Sequence, residues 1–219
     1  MLIQKQTTSY QEIKNDLKTG DIVLMHGLHA SSRVIETVED SLWSHAAIII
    51  LAEDIGIDAG EDNILLWESD TESPVKDVIL GKAKSGPMLV KLSERLKYNF
   101  THGEDSRMAI RYLYTERNQE MFDNIKTIIT EVHGATFPDT YHEMLNPTKG
   151  RVFHKKTSLD TIFCSELVAL TYIKIGLLTT IHPVNSYFPL DFSEKFSVGL
   201  LKRAWLNNEI LIDINVDKI

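Results

Sequence analysis

Three residue types that together perform acyl transfer, a thiol, an imidazole and a carboxylate, stand at Cys164, His45 and Glu68 of this 219-residue chain. Cys164 is the only cysteine, and it lies where an apolar helix begins, in the stretch "TIFCSELVALTYIKIGLL" over residues 161–178. The first turn of a helix carries backbone N–H groups without intrahelical partners and the positive end of the dipole, a setting that favours a thiolate over a thiol. A lone cysteine in an apolar helix is more often inert packing, so the chemical reading needs a base.

His45 is the histidine set inside a strong strand pattern, directly before "AAIIIL" and after Trp43 and Ser44. By itself it reads as a strand-end histidine satisfied by a neighbour. If "SHAAIIIL" and "NILLWES" pair antiparallel across residues 52–63, a register whose paired positions sum to 113 sets His45 opposite Glu68, Ala47 opposite Leu66 and Ile49 opposite Ile64. All six side chains then share one face. Glu68 would hold the imidazole in one tautomer and stabilise its protonated form, the orienting role in a triad. The alternative is an exposed strand-end carboxylate.

The elements that must position these groups follow from pattern. "GDIVLM", "SHAAIIIL", "ILLWES", "GPMLVKL" and "MAIRYL" read as strands, and "SSRVIETVEDSL" as a short helix carrying Val34, Val38 and Leu42. "NQEMFDNIKTIITEVHG" places Met121, Ile125, Ile128, Ile129 and Val132 on one helical stripe that stops at Gly134. Residues 135–158 read as a long loop of the kind that borders sites. Asp160 or Thr161 can cap the cysteine helix and Gly176 can close it; its apolar residues lie on more than one face, which predicts a central helix.

Composition bounds the function. With 43% hydrophobic and 25% charged residues the chain is globular, and without repeats or a long linker it is expected to be one domain over 1–219. A net charge of -8 without an extended basic run argues against a nucleic-acid partner. The longest apolar run, Ala46 to Ala52, is too short for a transmembrane segment, and "MLIQKQTTSYQEI" lacks the order of a signal peptide. One cysteine excludes an intramolecular disulfide framework. These readings lead to an expectation of a cytoplasmic protein.

"TGDIVLM", "WSHAAIII", "LLWESD" and "FCSELVALTYIKIGLL", in that order, resemble the circularly permuted branch of the NlpC-like papain superfamily, the YiiX/YebB-like cysteine peptidases and amidases. The resemblance covers most of the chain and implies an α+β papain-like fold, with an antiparallel sheet packed on a central Cys-bearing helix and the His strand preceding the Cys helix. It also implies Cys164 as nucleophile, His45 as general base and Glu68 as third polar residue. "HGATFPD" is similar to a Gly-x-x-Tyr-Asp segment of that family and "YFPLDFS" to a Pro-x-Asp segment. Departures are Ala47 where Gly is commoner, Phe137-Pro138 at the aromatic-Asp join, and residues 97–107, which match nothing.

The leading expectation is a cysteine amidase or peptidase that works through a thioester on a small peptide, with peptidoglycan-type peptides the class the resemblance suggests. A lipid- or acyl-directed enzyme is the alternative, by similarity of arrangement to lecithin:retinol-acyltransferase-like proteins, whose Asn-Cys-Glu-His signature "FCSEL" lacks. A binding protein that has kept the fold is a third reading. The chemistry calls for no metal or cofactor. His26-x-x-His29 has no third ligand at a zinc spacing, and the acidic "EDIGIDAGEDN" lacks the spacing of an EF-hand. Trp43 either walls the cleft or belongs to the core.

Overall fold

The computed structural model describes residues 7–26, 43–71, 74–102, 107–137, 162–196 and 198–213. The expected helix over residues 31–42, most of the loop 135–158, and Asp160 and Thr161 lie outside them. Within them, β-branched and aliphatic runs form strands β1 (Thr7–Thr8), β2 (Ile22–Met25), β3 (His45–Leu51), β4 (Ile64–Asp70), β5 (Gly86–Lys91), β6 (Met108–Arg111), β7 (Leu113–Tyr114), β8 (Trp205–Leu206) and β9 (Ile210–Ile212). The helices are α1 (Tyr10–Ile13), α2 (Leu92–His102), α3 (Gln119–Val132) and α4 (Cys164–Lys174). The architecture is α+β. Seven strands make a sheet in the order β1-β9-β6-β2-β3-β4-β5, and β7 pairs with β8 apart from it.

The expectation of an antiparallel sheet is corrected at one edge: β1 runs parallel to β9, which makes the sheet mixed. The sheet is also covered on both faces. Side chains alternate along each strand, so Ile22, Leu24, Ile48, Ile50, Leu65 and Trp67 pack with α3 and α4. Val23, Met25, Ala47, Ile49, Leu66 and Val90 pack with α1 and α2. This explains the unbroken apolar run of β3, because a strand covered on both sides has no face to leave polar. Each fully buried Ile or Leu contributes about 1.5–3 kcal/mol. Trp67 shows what burial demands of a polar atom: its Nε1–H donates to Thr171 Oγ1 at 3.2 Å, tying β4 to α4.

α3 begins behind Asn118, whose side chain accepts the Met121 N–H, and buries the expected stripe. α4 buries most of its surface and ends where Gly176 takes a left-handed φ of 74°. Pattern reading passed over α1, β1, β8 and β9, and also α2, which bears on the site. α2 buries Leu92, Leu96 and Phe100 at four-residue spacing together with the polar Arg95 and Asn99.

Candidate active site

His45 opens β3 opposite Met25, and its Nε2–H donates to Glu68 Oε2 at 2.8 Å. The strand register that achieves this differs from the expected one. Ile48 pairs with Trp67 and Leu51 with Ile64, so paired positions sum to 115 rather than 113. The strands stay paired out to Leu51, because the connection turns immediately afterwards: Ala52 starts a 3-10 turn and its N–H bonds to Asn63 O at 2.9 Å. The expected register would have set Ile50 opposite Asn63 and Leu51 opposite Asp62, ahead of the first residue of β4. A slip of two residues preserves facing, so Glu68 still shares a face with His45. It reaches the ring diagonally, while Asp70 is the residue that the continued register sets opposite His45.

Asp70 and Arg95 are the site residues that sequence reasoning missed. Arg95, from α2, holds Asp70 Oδ2 with one Nη2 at 2.6 Å and lies 3.4 Å from Glu68 Oε1 through Nε. Exposure is 0% for Glu68, 6% for Arg95, and 8% for both Asp70 and His45. Such charges persist in the interior only when paired. Burial works against the charged Asp70, but Arg95 and then His45 outweigh it and push its carboxyl down to about 2. Burial likewise works against a charged His45. The charge of the Cys164 side chain and then Glu68 overcome it and raise the ring to about 10. Arg95 is held above its ordinary value by the two carboxylates, which prevail over its burial.

Cys164 is the first residue of α4. The cap is Phe163 rather than Asp160 or Thr161; its N–H donates to Glu166 Oε2 at 3.3 Å. The segment that delivers the cysteine is stapled on both sides. Ser69 Oγ donates to Ile162 O at 2.6 Å, Ile162 N–H to Thr136 O at 2.9 Å, and Ser165 Oγ to Tyr187 O at 2.7 Å. Gly86 makes room for the 135–136 strand of chain, since a Cβ there would stand 2.3 Å from Ala135 O. Phe137 and Phe163, with ring centroids 5.3 Å apart, form one apolar cluster with Cys164. Cys164 itself is 1% exposed.

The structure therefore brings the three expected residues together. Nε2 of His45 is committed to Glu68, which leaves Nδ1 as the ring nitrogen open to the Cys164 side, and Cys164 is near enough for its charge to raise the ring. Because His45 is the terminal residue of its strand, it meets the Glu68–Arg95 layer and the α4 layer at once. The arrangement can hold a proton between a sulfur and a carboxylate. As the first residue of α4, Cys164 stands where backbone N–H groups have no partner within the helix.

Other expected features have structural roles. Trp43 is core, with its Nε1–H donating to Glu209 Oε1 at 2.9 Å. In "YFPLDFS", Asp191 Oδ2 accepts the Phe188 N–H at 2.8 Å and closes a turn. In the acidic loop, Asp54 accepts from Thr19 Oγ1 and Asp62 from Ser93 Oγ, both at 2.5 Å. His29 and Pro138 lie outside the described residues. Among the described residues, no group of three or more His, Cys, Asp or Glu is arranged to hold a metal ion, and no helix is long and apolar enough to cross a membrane.

No family model and no curated protein matches the chain. Among solved structures, it is similar to the crystal structure of the metalloprotein yiiX from Escherichia coli O157:H7, DUF1105, with 18% identity and a TM-score of 0.43. The likeness covers 71% of this chain and 64% of that one, so the chain spans just under two thirds of that structure's length. The likeness is a distant one, and the reading of the site rests on its own geometry.

Proposed function

We propose that the protein is a cysteine hydrolase of the amidase or peptidase class, with Cys164 as nucleophile, His45 as proton carrier and Glu68 as the group that orients His45. The observation that carries this reading is the buried imidazole bonded through Nε2 to Glu68, with Cys164 at a helix start near enough for its charge to raise the same ring. The fold assigned is a single permuted papain-like domain over 1–219, with the His strand before the Cys helix.

The reaction proceeds in two halves. The Cys164 thiolate attacks the substrate carbonyl carbon, forming a C–S bond and moving the C=O π pair onto oxygen. That oxygen is met by the Cys164 N–H, a donor preorganised at the helix start. Collapse breaks the C–N bond, and the leaving amine takes the proton from His45. The charge on Cys164 is the leading influence that raises His45. Once the sulfur is acylated this influence is gone, so the ring becomes easier to deprotonate and can act as base toward water. Water attacks the thioester, His45 takes its proton, and the acid leaves as the thiolate is restored.

The substrate proposed is a small peptide amide; an acyl or lipid ester is the alternative. Intact-mass measurement after incubation with peptide p-nitroanilides and fatty-acyl p-nitrophenyl esters tests the reading. An acyl adduct on Cys164, lost in Cys164→Ala, is expected, and its mass identifies the acyl group. Release of p-nitroaniline or p-nitrophenol at wild-type rate by Cys164→Ala would refute it.

A further inference from the structure

We propose that Arg95 and Asp70 are a positioning pair that keeps Glu68 charged and aimed at His45; this rests on the reading of Cys164 and His45 as nucleophile and proton carrier. The two oxygens of Glu68 face different partners: Oε2 accepts from the His45 ring at 2.8 Å, and Oε1 lies at ion-pair distance, 3.4 Å, from the Arg95 Nε without a hydrogen bond. The other arm of the guanidinium holds Asp70 Oδ2 at 2.6 Å, and Asp70 Oδ1 accepts the Thr71 N–H at 2.8 Å. The guanidinium therefore hydrogen-bonds Asp70 and meets Glu68 through charge alone, its planar, delocalised charge lying between the two carboxylates. Arg95 acts through Glu68.

The consequence is electrostatic. The groups that face one another are His45 from β3, Glu68 and Asp70 from β4, Arg95 and Tyr98 from α2, and Cys164 from α4. Without Arg95, two buried carboxylates flank a single imidazole. Like charges in a buried site cannot both persist, so one carboxyl is driven to bind a proton at a much higher pH than usual. A protonated Glu68 would no longer fix the ring by charge. Arg95 prevents this, and Asp70 fixes where the guanidinium lies.

The test uses the full-length protein and iodoacetamide, with Cys164 alkylation rate measured against pH from 5 to 9. Arg95→Gln should add an ionisation between about pH 5 and 8 that wild type lacks. Arg95→Gln combined with Asp70→Asn removes one carboxylate and should abolish that ionisation, a rescue that a merely structural role would not produce. Should Arg95→Gln not fold, ring NMR of Asp70→Asn decides. The His45 midpoint should fall by about one unit, a tenfold change, and an unchanged midpoint overturns the proposal. His45→Gln separates the two levels. If it alkylates as fast as wild type, the pairing of Cys164 with His45 fails and the Arg95 role falls with it. If it is slow while Arg95→Gln retains the wild-type profile, only the role of Arg95 and Asp70 is overturned.

Discussion

Glu68→Gln keeps the size of the side chain and removes its charge, at a position where the carboxylate accepts the His45 Nε2–H at 2.8 Å and is fully buried. A hydrogen bond to a charged group contributes about 1.5–3 kcal/mol, and one pKa unit corresponds to about 1.36 kcal/mol. The substitution should therefore lower the His45 midpoint from about 10 by roughly one to two units. The sign of the stability effect follows. His45 is raised above its unfolded value, so its contribution is fully present below about pH 6.5 and is lost as pH rises through about 10. In Glu68→Gln the loss begins earlier, so the stability gap to wild type is largest below about pH 7 and narrows by about pH 11. Removing one partner from a buried ion pair costs about 3–5 kcal/mol, but Arg95 keeps Asp70 at 2.6 Å, so the lower end applies. Ring NMR titration gives the midpoint and urea unfolding at pH 7 and 10.5 gives the gap. A wild-type midpoint near 6.5, or one that Glu68→Gln leaves unmoved, would mean that Glu68 does not hold the ring charged.

At pH 7, His45→Gln should slow iodoacetamide alkylation of Cys164 by about tenfold or more, the equivalent of about 1.4 kcal/mol; equal rates measured by mass spectrometry would mean an inert thiol. Asp70 is depressed to about 2, so its contribution is present above about pH 4 and is lost as pH falls through about 2. Asp70→Asn should thus be less stable than wild type by about 2 kcal/mol at pH 5, with the gap closing toward pH 2 in thermal melts. Gly86→Ala combines a φ of 89° with a Cβ 2.3 Å from Ala135 O and should destabilise by about 1–3 kcal/mol. Gly60→Ala, with φ 71° and open space, should cost no more than about 1–2 kcal/mol in the same unfolding assay.

The strands around the site were legible because β-branched runs ended by turn residues leave few alternatives, and α3 because its apolar stripe repeats at the helical period. The facing of Glu68 toward His45 was legible too, since a slip of two residues preserves it. The slip itself was not, because it depends on how residues 52–63 turn, and the turn begins at Ala52, one residue after Leu51 pairs with Ile64. Arg95 escaped notice for a related reason. A charged residue between Leu92 and Leu96 reads as solvent-facing, and only the second layer of helices over the β3–β4 face turns it inward. Covering of both faces had one visible trace, the absence of polar alternation in "AAIIIL". The cap at Phe163 follows from a backbone N–H bonded to Glu166, whose place at the third helical position marks that start in the sequence.

If the proposed site is catalytic, a covalent acyl group forms on Cys164 with His45 and Glu68 acting as one unit. Single-turnover acylation by an acyl p-nitrophenyl ester tests it most directly, measured for wild type, Glu68→Gln, His45→Gln and the double variant. Non-additive losses are predicted, with the double variant hardly slower than His45→Gln alone, because Glu68 works through the ring. Losses that multiply fully, or acylation that survives in Cys164→Ala, would contradict the account.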